Sequence, residues 1–268
     1  MKKDIVVVYL FSKYDSKKSI FNFIKNYKKF KSGKKHKLII CFKGSFNNSL
    51  EKKIKKLIHP NKFRTYVDSN VNDYDWGSYR RIASFNKKNI MFFFNCHSYP
   101  VVDNWLKKFY DNFGYKVVLA PTGSFQSLTS SCLNRMYFNN FIKSFYYGIL
   151  NLRYFKLFPN PHIRSNCYMI SAKDYINLDL NVCNHKIDTW KNESGRNGMT
   201  QQLLKKGYKI YVINKKGEKI KMHEWKKSET YAYKNQSQLI IEDKHTREYN
   251  KLDKRKKFFY SVNCWGDQ

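Results

Sequence analysis

The chain has 268 residues, of which 42% are hydrophobic and 18% aromatic, and it carries a formal net charge of +32. That much apolar material excludes a globally disordered chain, and the length suits one large α/β domain or two small ones. With 52 Lys and Arg against 20 Asp and Glu, the surface attracts polyanions such as nucleic acid, anionic lipid headgroups or phosphate-bearing small molecules, and charge alone selects none of these.

Ile5 to Phe11 is a continuous β-branched and apolar run, which predicts a strand buried on both faces and is too short for a secretory leader. Asp15 or Ser16 then caps a helix with Ile20, Phe23, Ile24 and Tyr27 on one face, stopped by Gly33. Leu38 to Phe42 is the second strand. Leu50, Ile54, Leu57 and Ile58 mark an amphipathic helix ended at Pro60, and Phe63 to Val67 is the third strand. A short helix over Tyr79 to Phe85 leads to a strongly apolar fourth strand, Ile90 to Phe94. A helix with Trp105, Leu106, Phe109 and Phe113, closed by Gly114, precedes a fifth strand at Val117 to Ala120.

In the second half, Phe138, Phe141, Ile142, Phe145, Ile149 and Leu152 share a helical face, with Lys143, Arg153 and Lys156 interspersed. The plain reading packs this helix on the sheet. The sharper one lays a basic, aromatic helix on a membrane surface. A strand over His162 to Ser171, a helix over Met199 to Lys206 and a strand over Tyr208 to Ile213 complete the pattern. No segment reaches 18 uninterrupted apolar residues, so no transmembrane helix is predicted. The six cysteines contain no C-x-x-C pair, which indicates neither a structural zinc site nor a redox motif and leaves buried free thiols in a reducing compartment.

Strands alternating with helices at short spacing predict an α/β fold, a mostly parallel sheet flanked by helices on both faces. Without repeats or a Pro- or Gly-rich linker, residues 1–268 read as one domain. In such sheets ligands lie beyond the carboxyl ends of the strands. That rule singles out 12–15, 43–45, 68–80 and 95–100. The densest polar cluster runs from Asp68 to Arg80 and holds Asp73, Asp75, Gly77 and Tyr79. There Gly77 would admit a close backbone approach, and the next helix N-terminus an anion. Asn95, His97 and Ser98 follow the fourth strand directly, and the small polar groups place a ligand at the sheet's edge.

This order of strand, helix, strand, then Asp75-x-Gly77-x-Tyr79-Arg80, then an apolar strand ending in Asn95-Cys96-His97-Ser98, resembles a GT-A glycosyltransferase. More narrowly it resembles the family 2-like bacterial transferases associated with surface polysaccharide. Pro121-Thr-Gly123-Ser124, His162-Ile-Arg164-Ser-Asn166, Glu193-Ser-Gly195-Arg196 and Asp243-Lys-His-Thr246-Arg-Glu-Tyr249 recur in the order of that group. The resemblance implies a nucleotide-binding half over 1–120 and an acceptor half with a C-terminal extension over 121–268. It implies a nucleotide-sugar donor facing Phe11, Ser12, Tyr14, Asp75, Gly77, Tyr79, Arg80, Asn95, His97 and Ser98. It places Glu193 as the catalytic base, with Arg164, Asn166 and Arg196 on the side of a glycan or lipid-linked acceptor. A cytoplasmic protein, peripheral at an anionic membrane face, goes with it.

The resemblance also implies a divalent cation, Mg²⁺ or Mn²⁺, on an Asp-x-Asp pair. Here Asn95-Cys96-His97 stands in that place, so three readings stay open: a cation held by Asp73 or Asp75, Arg80 and Arg164 acting in its stead, or loss of activity. Two rivals follow, a degenerate GT-A-like binding module and a basic protein for single-stranded nucleic acid. The second is disfavoured because the Lys residues are spread along the chain and no nucleic-acid motif is present.

Overall fold

A computed structural model describes residues 4–44, 48–58, 63–134 and 141–266. Its centre is an eight-stranded sheet. The strands are β1 (Ile5–Ser12), β2 (Lys37–Lys43), β3 (Phe63–Asp68), β4 (Ile90–Phe94), β6 (Val117–Ala120), β9 (Cys167–Ser171), β10 (Lys209–Ile213) and β11 (Lys219–Ile220), in the spatial order β11-β10-β6-β9-β4-β1-β2-β3. Three short strands complete the numbering before β9: β5 (Tyr99–Pro100), β7 (Gly123–Ser124) and β8 (His162–Ile163); β12 (Ile241–Glu242) follows β11. β1, β2, β3 and β4 pair in parallel, as do β6 and β10, whereas β9 runs antiparallel between β4 and β6.

Alternation along β1 explains the layering. Ile5, Val7, Tyr9 and Phe11 enter one core, and Val6, Val8 and Leu10 enter the other. The first core is covered by α1 (Lys17–Lys29), α2 (Asn48–Leu57) and α4 (Trp105–Tyr110), through Phe23, Ile54 and Trp105 among others. The second is covered by α3 (Tyr74–Phe85), α7 (Ala172–Ile176) and α9 (Met199–Lys205), through Tyr79, Tyr175 and Leu203. Helices therefore flank both faces of the sheet, the arrangement expected from the alternating pattern.

Three expectations change. The helix placed at 79–85 starts at Tyr74, so Asp75 and Gly77 lie in its first turn rather than in a loop. The strand placed at 162–171 is broken: His162–Ile163 pairs with β7, and only Cys167–Ser171 enters the main sheet. The break falls where the backbone is engaged sideways, with Arg164 N–H donating to Thr122 O at 3.2 Å and Ser165 N–H to Glu193 Oε1 at 2.6 Å. Finally, α6 (Phe141–Leu152) does not pack on the sheet. It lies against α5 (Leu128–Asn134) and leaves Ile142 83% and Tyr146 59% exposed. Pro60, Phe138 and Ser45, and the side chain of Phe141, lie outside the described residues.

Candidate functional site

β2 and β3 end side by side, with Lys43 opposite Asp68. Both side chains are buried, and their charges are matched within one cluster. The Lys43 ammonium sits 3.7 Å from Asp68, pairs closely with Asp73 and donates to Ser78 Oγ at 3.0 Å. Arg81 pairs with Asp68, and with Asp73 at 2.5 Å. Burial opposes ionisation of Asp68, but Arg81, Ser78 and Lys43 hold its carboxyl below the usual range. Two cations and two carboxylates cancel, so Asp73 has no free oxygen for a metal ion. Gly77 serves this cluster: a Cβ there would lie 1.8 Å from Asp73 Oδ2. With Asp73 and Asp75 at its start, the α3 N-terminus already has its dipole answered by side-chain carboxylates, which removes the expected anion site.

Asp75 is different. It is half-buried and makes no hydrogen bond or ion pair among the described residues. Burial, with the Asp15 carboxylate adding, pushes its carboxyl up to about 6 against the opposing pull of Lys43. It lines a cavity of about 110 Å³ with Tyr74, Tyr79, Ser165, Tyr168 and Thr189. The Tyr79 hydroxyl in that wall is buried and has no hydrogen-bond partner among the described residues. Tyr74 adopts a φ of 49°, a left-handed backbone that a non-glycine residue takes only when its surroundings hold it there. Thr189 lies one turn before Glu193 on α8 (Lys186–Ser194), so the two share a helix face. Glu193 accepts the Ser165 N–H through Oε1, and its second oxygen has no partner among the described residues. Among the described residues Glu193 makes no ion pair with the nearby Arg196, which donates to Leu152 O instead.

The turn after β4 lies on the same edge. Asn95 N–H donates to Asn166 O at 3.0 Å, and Asn95 Oδ1 accepts from His97 N–H at 3.1 Å and from Ser98 Oγ at 2.7 Å. Asn95 and Ser98 thus hold the turn's shape. Arg247 donates to the His97 carbonyl at 3.3 Å, and Tyr9 Oη to the Cys96 carbonyl at 2.7 Å. Asp15, after β1, reaches this turn, and the ligand-capable atoms of Asp15, Cys96 and His97 lie within 4.8 Å of one another. Burial pushes the Cys96 thiol up, and Asp15 and Asp75 push in the same direction, which places all three groups in one neighbourhood. Burial also lowers the His97 imidazole, with Lys244 and Arg247 reinforcing it against Asp15. Mg²⁺ and Mn²⁺ favour all-oxygen ligand sets. One carboxylate, one thiol and one imidazole do not fit them.

The remaining predicted residues are spread out. Tyr14 is exposed, Ser12 N–H is bound by Asp15 at 2.8 Å, and Phe11 is buried edge-on against Phe42. Arg80 donates to the carbonyls of Ile176 and Leu178, each at 2.9 Å, and so clamps the end of α7. Arg164 is buried, paired with Asp243 at 2.7 Å and stacked 3.8 Å from the Tyr231 ring. Asn166 donates to the same carboxylate at 2.6 Å. Neither Arg80 nor Arg164 is placed to stand in for a cation. Arg196 is exposed and donates to Leu152 O at 3.1 Å, beside α6.

No family model matches the chain, and no curated protein matches it in sequence. Solved structures overlap it in part. GalNAc-T7, solved with UDP, GalNAc and Mn²⁺, has a TM-score of 0.37 at 11% identity over 44% of this chain and 23% of its own. The mannosyltransferase Ktr4p of S. cerevisiae gives 0.40 at 9% identity over 65% and 57%. HddC from Yersinia pseudotuberculosis gives 0.43 at 10% over 71% and 87%. The chain therefore spans less than a quarter of the first of these proteins and little more than half of the second.

Ser165, Thr189 and Arg247 join the site without having been proposed for it from the sequence, and Asp15 enters it from the stretch 12–15 singled out there. Asp15 reads as a helix cap. Arg247 is separated from His97 by 150 residues, so only the fold reveals their contact.

Proposed function

We propose that the chain is a glycosyltransferase that moves a sugar from a nucleotide-diphosphate donor to a lipid-linked or glycan acceptor, in the synthesis of a surface polysaccharide at the cytoplasmic face of a membrane. One observation carries the reading: the carboxyl edge of the parallel strands gathers Asp75 and Tyr79, the Cys96–His97 turn, and the Ser165 segment held by Glu193. Asp75 and the unpartnered Tyr79 hydroxyl supply an acceptor and a donor for a nucleotide or sugar. Lys18 and Arg247, which border the hollow beside His97, supply positive charge for the diphosphate.

In the reaction, the bond from the anomeric carbon to the diphosphate oxygen breaks as the acceptor oxygen bonds to that carbon. The acceptor's proton passes to the free oxygen of Glu193, and the leaving diphosphate's charge is met by Lys18 and Arg247. Glu193 is oriented for this by the Ser165 N–H, which occupies its other oxygen.

The test is a panel of nucleotide sugars read first by thermal shift and then by product formation. A bound donor raises Tm by mass action once its concentration exceeds Kd. Glu193→Gln is expected to keep that shift and to lose about 10²–10⁴-fold in transfer. Transfer at the normal rate in this variant removes Glu193 from the mechanism. A thermal shift with no turnover by the unaltered chain makes it a donor-binding module instead.

A further inference from the structure

We infer that Asp15, Cys96 and His97 form a binding site for a borderline-soft divalent cation of the zinc type, in place of the hard cation that a carboxylate pair would hold. Their ligand-capable atoms already lie within 4.8 Å of one another, close enough for side-chain rotation to bring them onto one ion. The backbone beneath them is held from several sides. Asn166 and Asn95 fix the start of the turn, Tyr9 holds the Cys96 carbonyl, and Arg247 holds the His97 carbonyl. These bonds engage main-chain atoms and the Asn95 amide, and leave the Cys96 thiol and the His97 ring to act as ligands. One oxygen of Asp15 is steadied by the Ser12 N–H at 2.8 Å. Such outer hydrogen bonds are what orient metal ligands.

The donor set selects the ion. Thiolate sulfur and imidazole nitrogen suit zinc, which takes three protein ligands in sites that keep one position open for another group. Charge agrees. A thiolate and a carboxylate neutralise a dication, so the ion can lie near Arg247 and Lys18 without adding to the local positive field. Binding releases one proton from the Cys96 thiol to solvent, and no electron is transferred. The hollow lined by Cys96 and His97, about 210 Å³, also presents Ser16, Ser19, Asn22 and Arg247. An oxyanion entering there would meet both the ion and the guanidinium. This use rests on the donor reading above, whereas the cation site itself does not.

Cobalt(II) alone is the probe, added to the purified full chain with no sugar donor. One equivalent is expected to bind and to produce a thiolate-to-cobalt charge-transfer absorption in the near ultraviolet. Zinc should displace it, and magnesium and manganese at the same concentration should not. Cys96→Ser, a one-atom change, should abolish the band, while Cys132→Ser, at a half-buried thiol outside the site, should keep it. Asp15→Asn and His97→Ala should weaken cobalt binding by about 10-fold or more. If either of these two variants fails to fold, Cys96→Ser decides. A wild-type chain with no charge-transfer band, or a band that survives Cys96→Ser, overturns the site and leaves the transferase proposal to its own donor-binding test.

Discussion

Asp75 shows how a single carboxylate reports on the site. Its pKa of about 6 lies above the ordinary carboxylate value because it is half-buried without a partner. The folded chain therefore holds this proton more tightly than the unfolded chain. The group's contribution to stability is fully present below the unfolded value near 4, and is lost as pH rises through about 6. Asp75→Asn should accordingly raise Tm at pH 7.5, by a gain on the order of 1 kcal/mol once discounted for partial exposure, and should change little at pH 4. A donor thermal shift at pH 7.5 should shrink in the same variant. Equal Tm changes at both pH values would mean that the charge of Asp75 is satisfied in a way the geometry does not provide. At this scale the sequence exposes residue types but not partners. Asp68, Asp73 and Asp75 look alike within one polar run, yet two are consumed by Lys43 and Arg81 and one is left free. The difference lies in Lys43, a buried cation that reads in sequence as one more surface lysine.

Among the elements, the strands were the most legible, because continuous apolar runs leave few alternatives. β4 keeps its expected bounds, and β1, β2 and β3 extend theirs by one residue at one end or both. The misread elements are those whose polar residues are satisfied by distant parts of the chain. α3 begins five residues early because its first turn is built on Asp73, which binds Lys43 and Arg81 rather than capping the helix. The strand at 162–171 breaks because Arg164 and Asn166 turn inward to Asp243, some eighty residues away in the chain. Burial opposes ionisation of Asp243, but Arg164 holds its carboxyl below the usual range. Removing one partner strands the other charge in the interior, so Arg164→Met should cost about 3–5 kcal/mol in denaturant unfolding. The paired replacement Arg164→Met with Asp243→Leu should cost clearly less than the sum of the single changes. Additive losses would mean that the two side chains act independently, against the 2.7 Å contact.

For the whole molecule, composition announced a polyanion partner without naming one, and the arrangement of exposed apolar side chains narrows the choice. No helix of the described residues is long and apolar enough to cross a membrane. Yet α6 exposes Ile142, Tyr146, Tyr147, Ile149 and Leu150, with Lys143 within the helix and Arg153 just past its end. After α10 (Lys244–Lys251), the last helix, α11 (Lys254–Trp265), exposes Phe258 and Phe259 after the basic run 254–257. The end of α11 meets the segment that follows α6: a Cβ on Gly266 would touch the Phe158 ring, and Trp265 packs on Phe125, whose carbonyl binds Asn160 N–H. Asn160 in turn donates to Ser194 O, next to Glu193. On the transferase proposal, these exposed basic and aromatic residues would meet an anionic bilayer that presents the lipid-linked acceptor, since each basic residue near such a surface contributes about 1 kcal/mol and buried rings add to it. The full chain should co-sediment with vesicles of phosphatidylglycerol and phosphatidylcholine, and much less with phosphatidylcholine alone. Raising salt beyond 0.15 M should weaken binding without abolishing it, because screening acts on the charges and not on the inserted side chains. Ile142→Asp with Tyr146→Asp should remove the salt-resistant part and leave the unfolding free energy within about 1 kcal/mol of the unaltered chain's, as both positions are exposed. If the double variant binds as before at high salt, the salt-resistant part does not come from these two side chains, and α6 faces something other than lipid.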